Sequence, residues 1–109
     1  MLTDSCPLQV REMLFREAGS VDSAHASQLF LDAASSDLRD VLGRITQPTM
    51  YIGGRYNTVA RSAQAWICEH IPDSRHVVFD ADERGSHFMY LENPDRFNAE
   101  VADFLTAAG

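Results

Sequence analysis

The 109-residue chain has the size of one small domain, and its 45% hydrophobic and 23% charged residues are typical of a globular protein. Nine Lys and Arg against sixteen Asp and Glu give a net charge of −7, which argues against nucleic-acid and anionic-membrane surfaces, since both need basic patches. Every apolar run falls short of the roughly 18 residues that a membrane-spanning helix requires.

The cysteine count and the first residues bear on the cell compartment. Cys6 and Cys68 are too few for a disulfide scaffold. The opening residues contain an early acid and neither a basic nor an apolar region, which is not the pattern of a secretory signal. We therefore expect a cytoplasmic protein with reduced thiols.

Residues 1–36 are predicted to be helical and to contain no strand. Pro7 stands where a first helical turn begins, and apolar residues follow at helical spacing, which predicts a helix over 7–17. Asp22 is a suitable N-cap for a second helix over 22–34, whose apolar side holds Leu29 and Phe30.

Residues 37–109 alternate helices with strands. Asp37 is expected to cap a short helix, and Thr58 a helix over 58–71 that contains Trp66 as a core anchor. Solid apolar runs predict strands over 49–52 and 76–79, and Asn93 before Pro94 predicts the start of a last helix over 94–107.

This order predicts an α/β fold built on a βαβ unit with parallel strands. A two-stranded parallel sheet is only marginally stable alone, and the unpaired N–H and C=O groups at its open edges tend to pair with other strands. We expect the chain either to belong to a wider sheet or to complete one by pairing with another chain. The alternative is a self-sufficient domain in which helices 7–17 and 22–34 cover the edge.

Two side chains are candidates for chemistry because each follows a strand. His87 lies in a loop after the second strand, where α/β proteins place ligands and where an imidazole can act as a general base. Asn57 lies just past the first strand and could orient an imidazole by accepting its N–H. The alternative for His87 is a loop histidine that bonds to backbone. The alternative for Asn57 is a turn residue at the start of a helix.

The sequence predicts no cofactor and no metal site. Gly53-Gly54 lacks the spacing and the lysine of a phosphate-binding loop. An acidic run at Asp80, Asp82 and Glu83 could in principle hold a metal with His76 or His87, but its spacing fits no ligand pattern.

The ordered series of segments over about residues 37–106 resembles the C-terminal part of the α/β-hydrolase superfamily. Its most specific part is the run Gly85-Ser86-His87-Phe88 followed by Glu92-Asn93-Pro94 and Phe97-Asn98. Residues 1–36 would then correspond to the end of a helical cap or lid, and residues 37–109 to the C-terminal part of the core.

The resemblance implies a role for each candidate residue. His87 matches the family's catalytic histidine, which activates a serine or another nucleophile. Asn57 stands where the family most often has the aspartate of the triad, which puts the acid in doubt. The chain contains no Gly-x-Ser-x-Gly nucleophile turn and no segment that would supply the oxyanion hole, so we expect it to be inactive alone.

Two functions from different classes remain open. The chain could be the C-terminal portion of a hydrolase of the esterase, lactonase or carbon–carbon-bond class, binding a small-molecule substrate only when complemented by the part with the nucleophile. It could instead be a non-catalytic binding or interaction module, paired as a homo-oligomer along its open strand. A metal-dependent enzyme is the third alternative.

Overall fold

The computed structural model describes residues 1–108; Gly109 lies outside the described residues. Within the described residues, six helices and two strands follow one another. They are α1 (Leu8–Gly19), α2 (Ser23–Ser35), α3 (Arg39–Leu42), β1 (Thr49–Gly54), α4 (Arg61–His70), β2 (Ser74–Phe79), α5 (Met89–Glu92) and α6 (Pro94–Ala108), with a 3-10 turn at Ala81–Glu83 between β2 and α5.

β1 and β2 are connected by α4 and pair directly with each other in parallel. Thr49 lies opposite Ser74 at one end of the pair, and Gly54 lies opposite Phe79 at the other. The predicted α/β order with a parallel pair of strands is therefore confirmed. Both strands are longer than their apolar runs. β1 continues through Gly53 and Gly54, and β2 begins at the polar Ser74.

A small core lies between the sheet and the C-terminal helices. Val77, Phe79 and Met89 are buried there, and Phe97 of α6 packs against them with Met50 and Ile52 of β1. Successive strand residues point to opposite faces, and the other face meets α4, where His76 contacts Gln64.

The alternative in which the first two helices cover the sheet edge is not what the structure shows. Every residue of α1 and α2 is at least partly exposed, and Phe15 and Phe30 keep 67% and 73% of their surface in solvent. Helical spacing identifies an apolar face but not a surface to receive it. The described residues thus form a two-stranded sheet whose outer strand edges have no strand beside them.

Three local predictions also need correction. The fourth helix begins at Arg61 with Ala60 as its N-cap, because the Thr58 hydroxyl donates to Asn57 instead of capping. Trp66 is no core anchor: it is 38% exposed and stacks on His70, one turn along α4. Asp37 accepts from the backbone N–H of Arg39, but Leu38 occupies the N-cap of α3.

Other local predictions are confirmed. The Asp22 carboxylate accepts from the backbone N–H groups of Ala24 and His25 and caps α2, and α6 begins at Pro94 directly after Asn93. Among residues 1–108, no helix combines the length and the apolar character needed to cross a bilayer.

Candidate active site

The two candidate side chains meet at one edge of the sheet. Asn57 follows β1 and His87 follows β2, and parallel strands bring their carboxyl ends to the same edge. The imidazole Nδ1 of His87 lies 2.8 Å from the amide Oδ1 of Asn57. The alternative in which the His87 ring bonds to backbone is therefore not what the structure shows.

Backbone hydrogen bonds extend the strand pairing beyond the sheet and align the two loops. The N–H of Arg55 donates to the carbonyl of Phe79 at 2.9 Å, and the N–H of Tyr56 donates to that of Gly85 at 2.8 Å. Tyr56 and Ser86 form an isolated parallel bridge at this point. Asn57 and His87 each follow one residue later in the chain, so this backbone pairing makes them neighbours.

Two glycines permit this close approach. A Cβ on Gly54 would lie 2.3 Å from the carbonyl oxygen of Ser86, and a Cβ on Gly85 would lie 1.9 Å from that of Phe79. Both contacts are with backbone, which cannot swing aside as a flexible side chain can. The glycines are therefore needed for the loops to touch.

The amide of Asn57 selects the tautomer of His87. Asn57 Oδ1 also accepts from the backbone N–H of Val59 at 3.5 Å and from the hydroxyl of Thr58 at 3.2 Å, so this atom faces donors. An oxygen in that place requires His87 Nδ1 to carry the proton. The Nε2 atom of the neutral ring is then unprotonated and can accept a proton.

Hydrogen bonds of Ser86 and Arg84 hold the histidine loop in place. Ser86 is fully buried, and its Oγ accepts from the N–H of Phe88 at 2.9 Å. Arg84 adopts a left-handed backbone with φ of 57°, which turns the chain, and its guanidinium donates to the carbonyl of Glu92 at 2.8 Å. His87 itself remains exposed. The loop thus presents an exposed ring on a hydrogen-bonded support.

The N-terminal segment also lies against this loop. The N–H of His87 donates to the carbonyl of Met1 at 3.2 Å. Glu92 is fully buried, and its carboxylate accepts from both the hydroxyl and the N–H of Thr3. The residues around Glu92 in the sequence do not predict that its carboxylate is buried. The only sequence feature that singles Glu92 out is its place in the Glu92-Asn93-Pro94 run.

An apolar groove opens beside the histidine. It lies between α1 and the histidine loop, has a volume of about 460 Å³, and is lined by side chains that include Leu2, Leu14, Phe15 and Phe88. The ring of Phe88 packs edge-on to that of His87, with centroids 5.0 Å apart. The groove and the imidazole therefore have Phe88 as a common neighbour.

The acidic run after β2 forms a turn. Asp80 and Glu83 cap the 3-10 turn reciprocally, and the Arg55 guanidinium beside Asp80 lowers the pKa of that carboxyl. Among residues 1–108 no three His, Cys, Asp or Glu side chains cluster as a metal site would require. Through this reciprocal capping, Asp80 and Glu83 shape the turn that leads to His87.

Comparison with known proteins finds hydrolases that are similar in sequence to this chain. No protein-family profile matches the chain. It is 30% identical over 97 residues to a pimeloyl-[acyl-carrier protein] methyl ester esterase of Nitrosospira multiformis, a match covering 88% of this chain and 35% of the esterase. The corresponding esterase of Nitrosomonas europaea is 33% identical over 64 residues, 58% of this chain and 24% of that protein.

A proline iminopeptidase of Heyndrickxia coagulans is 30% identical over 71 residues, which is 65% of this chain and 24% of the iminopeptidase. Esterase and iminopeptidase are both α/β-hydrolases, so the resemblance of this chain to that superfamily is confirmed. These three relatives are hydrolases. The chain spans only between 24% and 35% of the length of these curated relatives.

Proposed function

We propose that this chain forms the C-terminal, histidine-bearing part of an α/β-hydrolase active site, with His87 as the general base and Asn57 as the residue that orients it. The observation that carries the proposal is the 2.8 Å contact between His87 Nδ1 and Asn57 Oδ1. The hydrolase relatives support the same assignment.

The proposed reaction is acyl transfer through a serine hydroxyl. As the hydroxyl oxygen attacks the carbonyl carbon of an ester, His87 Nε2 takes its proton, and the protonated ring later gives a proton to the leaving alkoxide. Water then repeats the sequence on the acyl-enzyme and releases the acid. Asn57 holds the ring in the required tautomer, but an amide stabilises the imidazolium less than a carboxylate would.

The nucleophile and the oxyanion hole belong, in this proposal, to another stretch of polypeptide, either in a longer form of this protein or in a separate chain. The sequence has no Gly-x-Ser-x-Gly turn, and β1 and β2 have open outer edges that a wider sheet would pair. Oxyanion stabilisation is often the largest catalytic contribution, so the 109 residues alone should not turn over esters efficiently.

The substrate class we propose is a small ester or a similar acyl compound with an apolar portion. Two relatives are named as methyl ester esterases. The groove beside His87 is lined largely by apolar side chains and suits such a portion. Lactone and carbon–carbon-bond hydrolysis would use the same histidine.

Complementation tests this function. The portion of the Nitrosospira multiformis esterase that this chain does not match would be co-expressed with the chain, and the purified complex assayed with a p-nitrophenyl ester. We expect turnover that His87→Ala abolishes and that His25→Ala, an exposed histidine of α2, leaves unchanged. Turnover that survives His87→Ala would overturn the assignment of His87.

The second candidate is a non-catalytic module that pairs with a second copy through an open strand. It is favoured by those unpaired edges and by the exposed Leu29, Phe30 and Leu31 on α2. Light scattering after size exclusion separates the two proposals. A mass twice the 12.2 kDa of the chain, with no complementation by the esterase portion, would support the module.

A further inference from the structure

Gln64 is a buried amide beneath the candidate site. It is the one residue of α4 that is fully buried, and it packs directly over β1. A Cβ on Gly53 would lie 1.9 Å from Gln64 Oε1. The strand therefore carries a glycine at the place where this side chain enters.

The hydrogen bonds of Gln64 span the segment that holds Asn57. Its Nε2 donates to the carbonyl of Gly54 at 3.2 Å and to that of Val59 at 2.8 Å. Both partners can only accept, which fixes which end of the amide is nitrogen. The two carbonyls flank Asn57, so one NH₂ group clamps both ends of the loop between β1 and α4.

The other end of the amide is tied to the second strand. Gln64 Oε1 accepts from His76 Nε2 at 3.2 Å. Burial and the nearby Arg61 lower the pKa of His76, which favours the neutral ring. Gln64 thus links β2 to the Asn57 loop from the side of the sheet opposite the hydrophobic core.

We infer that Gln64 is a positioning residue for the site: by clamping Gly54 and Val59 it sets Asn57 Oδ1 where it meets His87 Nδ1. The inference rests on the proposed function, in which Asn57 selects the tautomer of His87. Without the clamp the loop keeps its backbone hydrogen bond to Gly85 but loses the side-chain hydrogen bond that holds Val59, two residues after Asn57.

Gln64→Glu is a nearly isosteric test. It retains an oxygen for His76 but replaces the two N–H donors with an oxygen facing two carbonyls, which repels the loop. Gln9→Glu, on the exposed side of α1, is the matched control for the same change of charge. Asn57→Ala is the reference for complete loss of the orienting amide.

The readout is the tautomer of His87, measured from the ¹⁵N shifts of its ring in the full 109-residue chain near neutral pH. We expect mainly Nδ1–H in the wild type and in Gln9→Glu, and a shift toward Nε2–H, the form favoured by free imidazole, in Gln64→Glu and Asn57→Ala. A shift in Asn57→Ala alone would overturn the role of Gln64 while leaving the pair intact. Mainly Nε2–H in the wild type would overturn the proposed site itself.

A measurement on the unaltered chain covers the case in which Gln64→Glu fails to fold. Both side-chain amide protons of Gln64 should exchange with solvent at least about tenfold more slowly than those of exposed Gln9, because the Gln64 side chain is buried and both protons are hydrogen-bonded. Equal exchange rates for the two side chains would show that the clamp is absent and would overturn the inference.

Discussion

His87 and Asn57 lie thirty positions apart in the chain, yet their side chains meet at 2.8 Å because the backbones that carry them pair one residue earlier. The contact is thus a consequence of sheet register and not of a chance approach of two loops. A substitution that disturbs the register should therefore reach the site without touching either side chain.

Gly85→Ala tests the close approach of the loops. Its Cβ would lie 1.9 Å from the carbonyl of Phe79, so the loop must move or the strand must yield. We expect a loss of about 3 kcal/mol, the upper end of the usual cost of overpacking, in the free energy of unfolding measured with urea. Gly43→Ala, where nothing lies within 4 Å of the added methyl, is the control and should change stability by less than about 1 kcal/mol. If Gly85→Ala and Gly43→Ala had equal free energies of unfolding, the two loops would not pack as described.

Phe79→Ala tests the location of the core. Phe79 is fully buried at the end of β2, and the guanidinium of Arg96 lies over its ring, 4.1 Å from the centroid. Removing the ring should cost about 3–5 kcal/mol of unfolding free energy. Phe30→Ala, at an exposed position of α2, should cost less than about 0.5 kcal/mol by the same measurement. A larger loss at Phe30 would mean that α2 packs on the sheet after all.

The elements that carry the site could be predicted because their signals are local. Two apolar runs separated by a helical stretch imply parallel strands, and parallel strands bring Asn57 and His87 to one edge. The proline after Asn93 marks the start of α6 for an equally local reason, its fixed φ.

What could not be predicted depends on tertiary contacts. A glutamine in an amphipathic helix indicates a solvent-facing position, and a tryptophan indicates a buried one. In α4 the structure has the opposite: Gln64 is fully buried and Trp66 is 38% exposed. α5 has four residues and the 3-10 turn has three. These elements are too short for the helical spacing of apolar residues to be recognised in the sequence. The exposure of α1 and α2 depends on whether a surface exists to cover them, which their own spacing does not determine.

Glu83 gives the loop a pH dependence. Its carboxylate accepts from the N–H of Asp80 at 2.8 Å and pairs with Arg96, and these interactions lower its pKa. Since the folded pKa lies below the unfolded value of about 4.3, the stabilisation is complete above that pH and is lost as the pH falls through the folded pKa.

Glu83→Gln should therefore lower Tm at pH 7, and its Tm should converge with that of the wild type as the pH falls below about 4. Asp82→Asn, an exposed acid in the same turn, is the control and should follow the wild-type curve. A Tm difference for Glu83→Gln that is constant between pH 3 and pH 7 would rule out the charged pair as its source.

The most direct test of the account is a double-mutant cycle on Asn57 and His87 in the complex with the esterase portion, read as kcat/KM for ester hydrolysis. Asn57→Asp supplies the carboxylate that stabilises the imidazolium, and we expect it to raise kcat/KM by up to about 10⁴-fold, the factor that separates a triad aspartate from its amide. In the His87→Ala background the same substitution should give no gain. A gain from Asn57→Asp that persists without His87 would contradict the claim that the two side chains act as one unit.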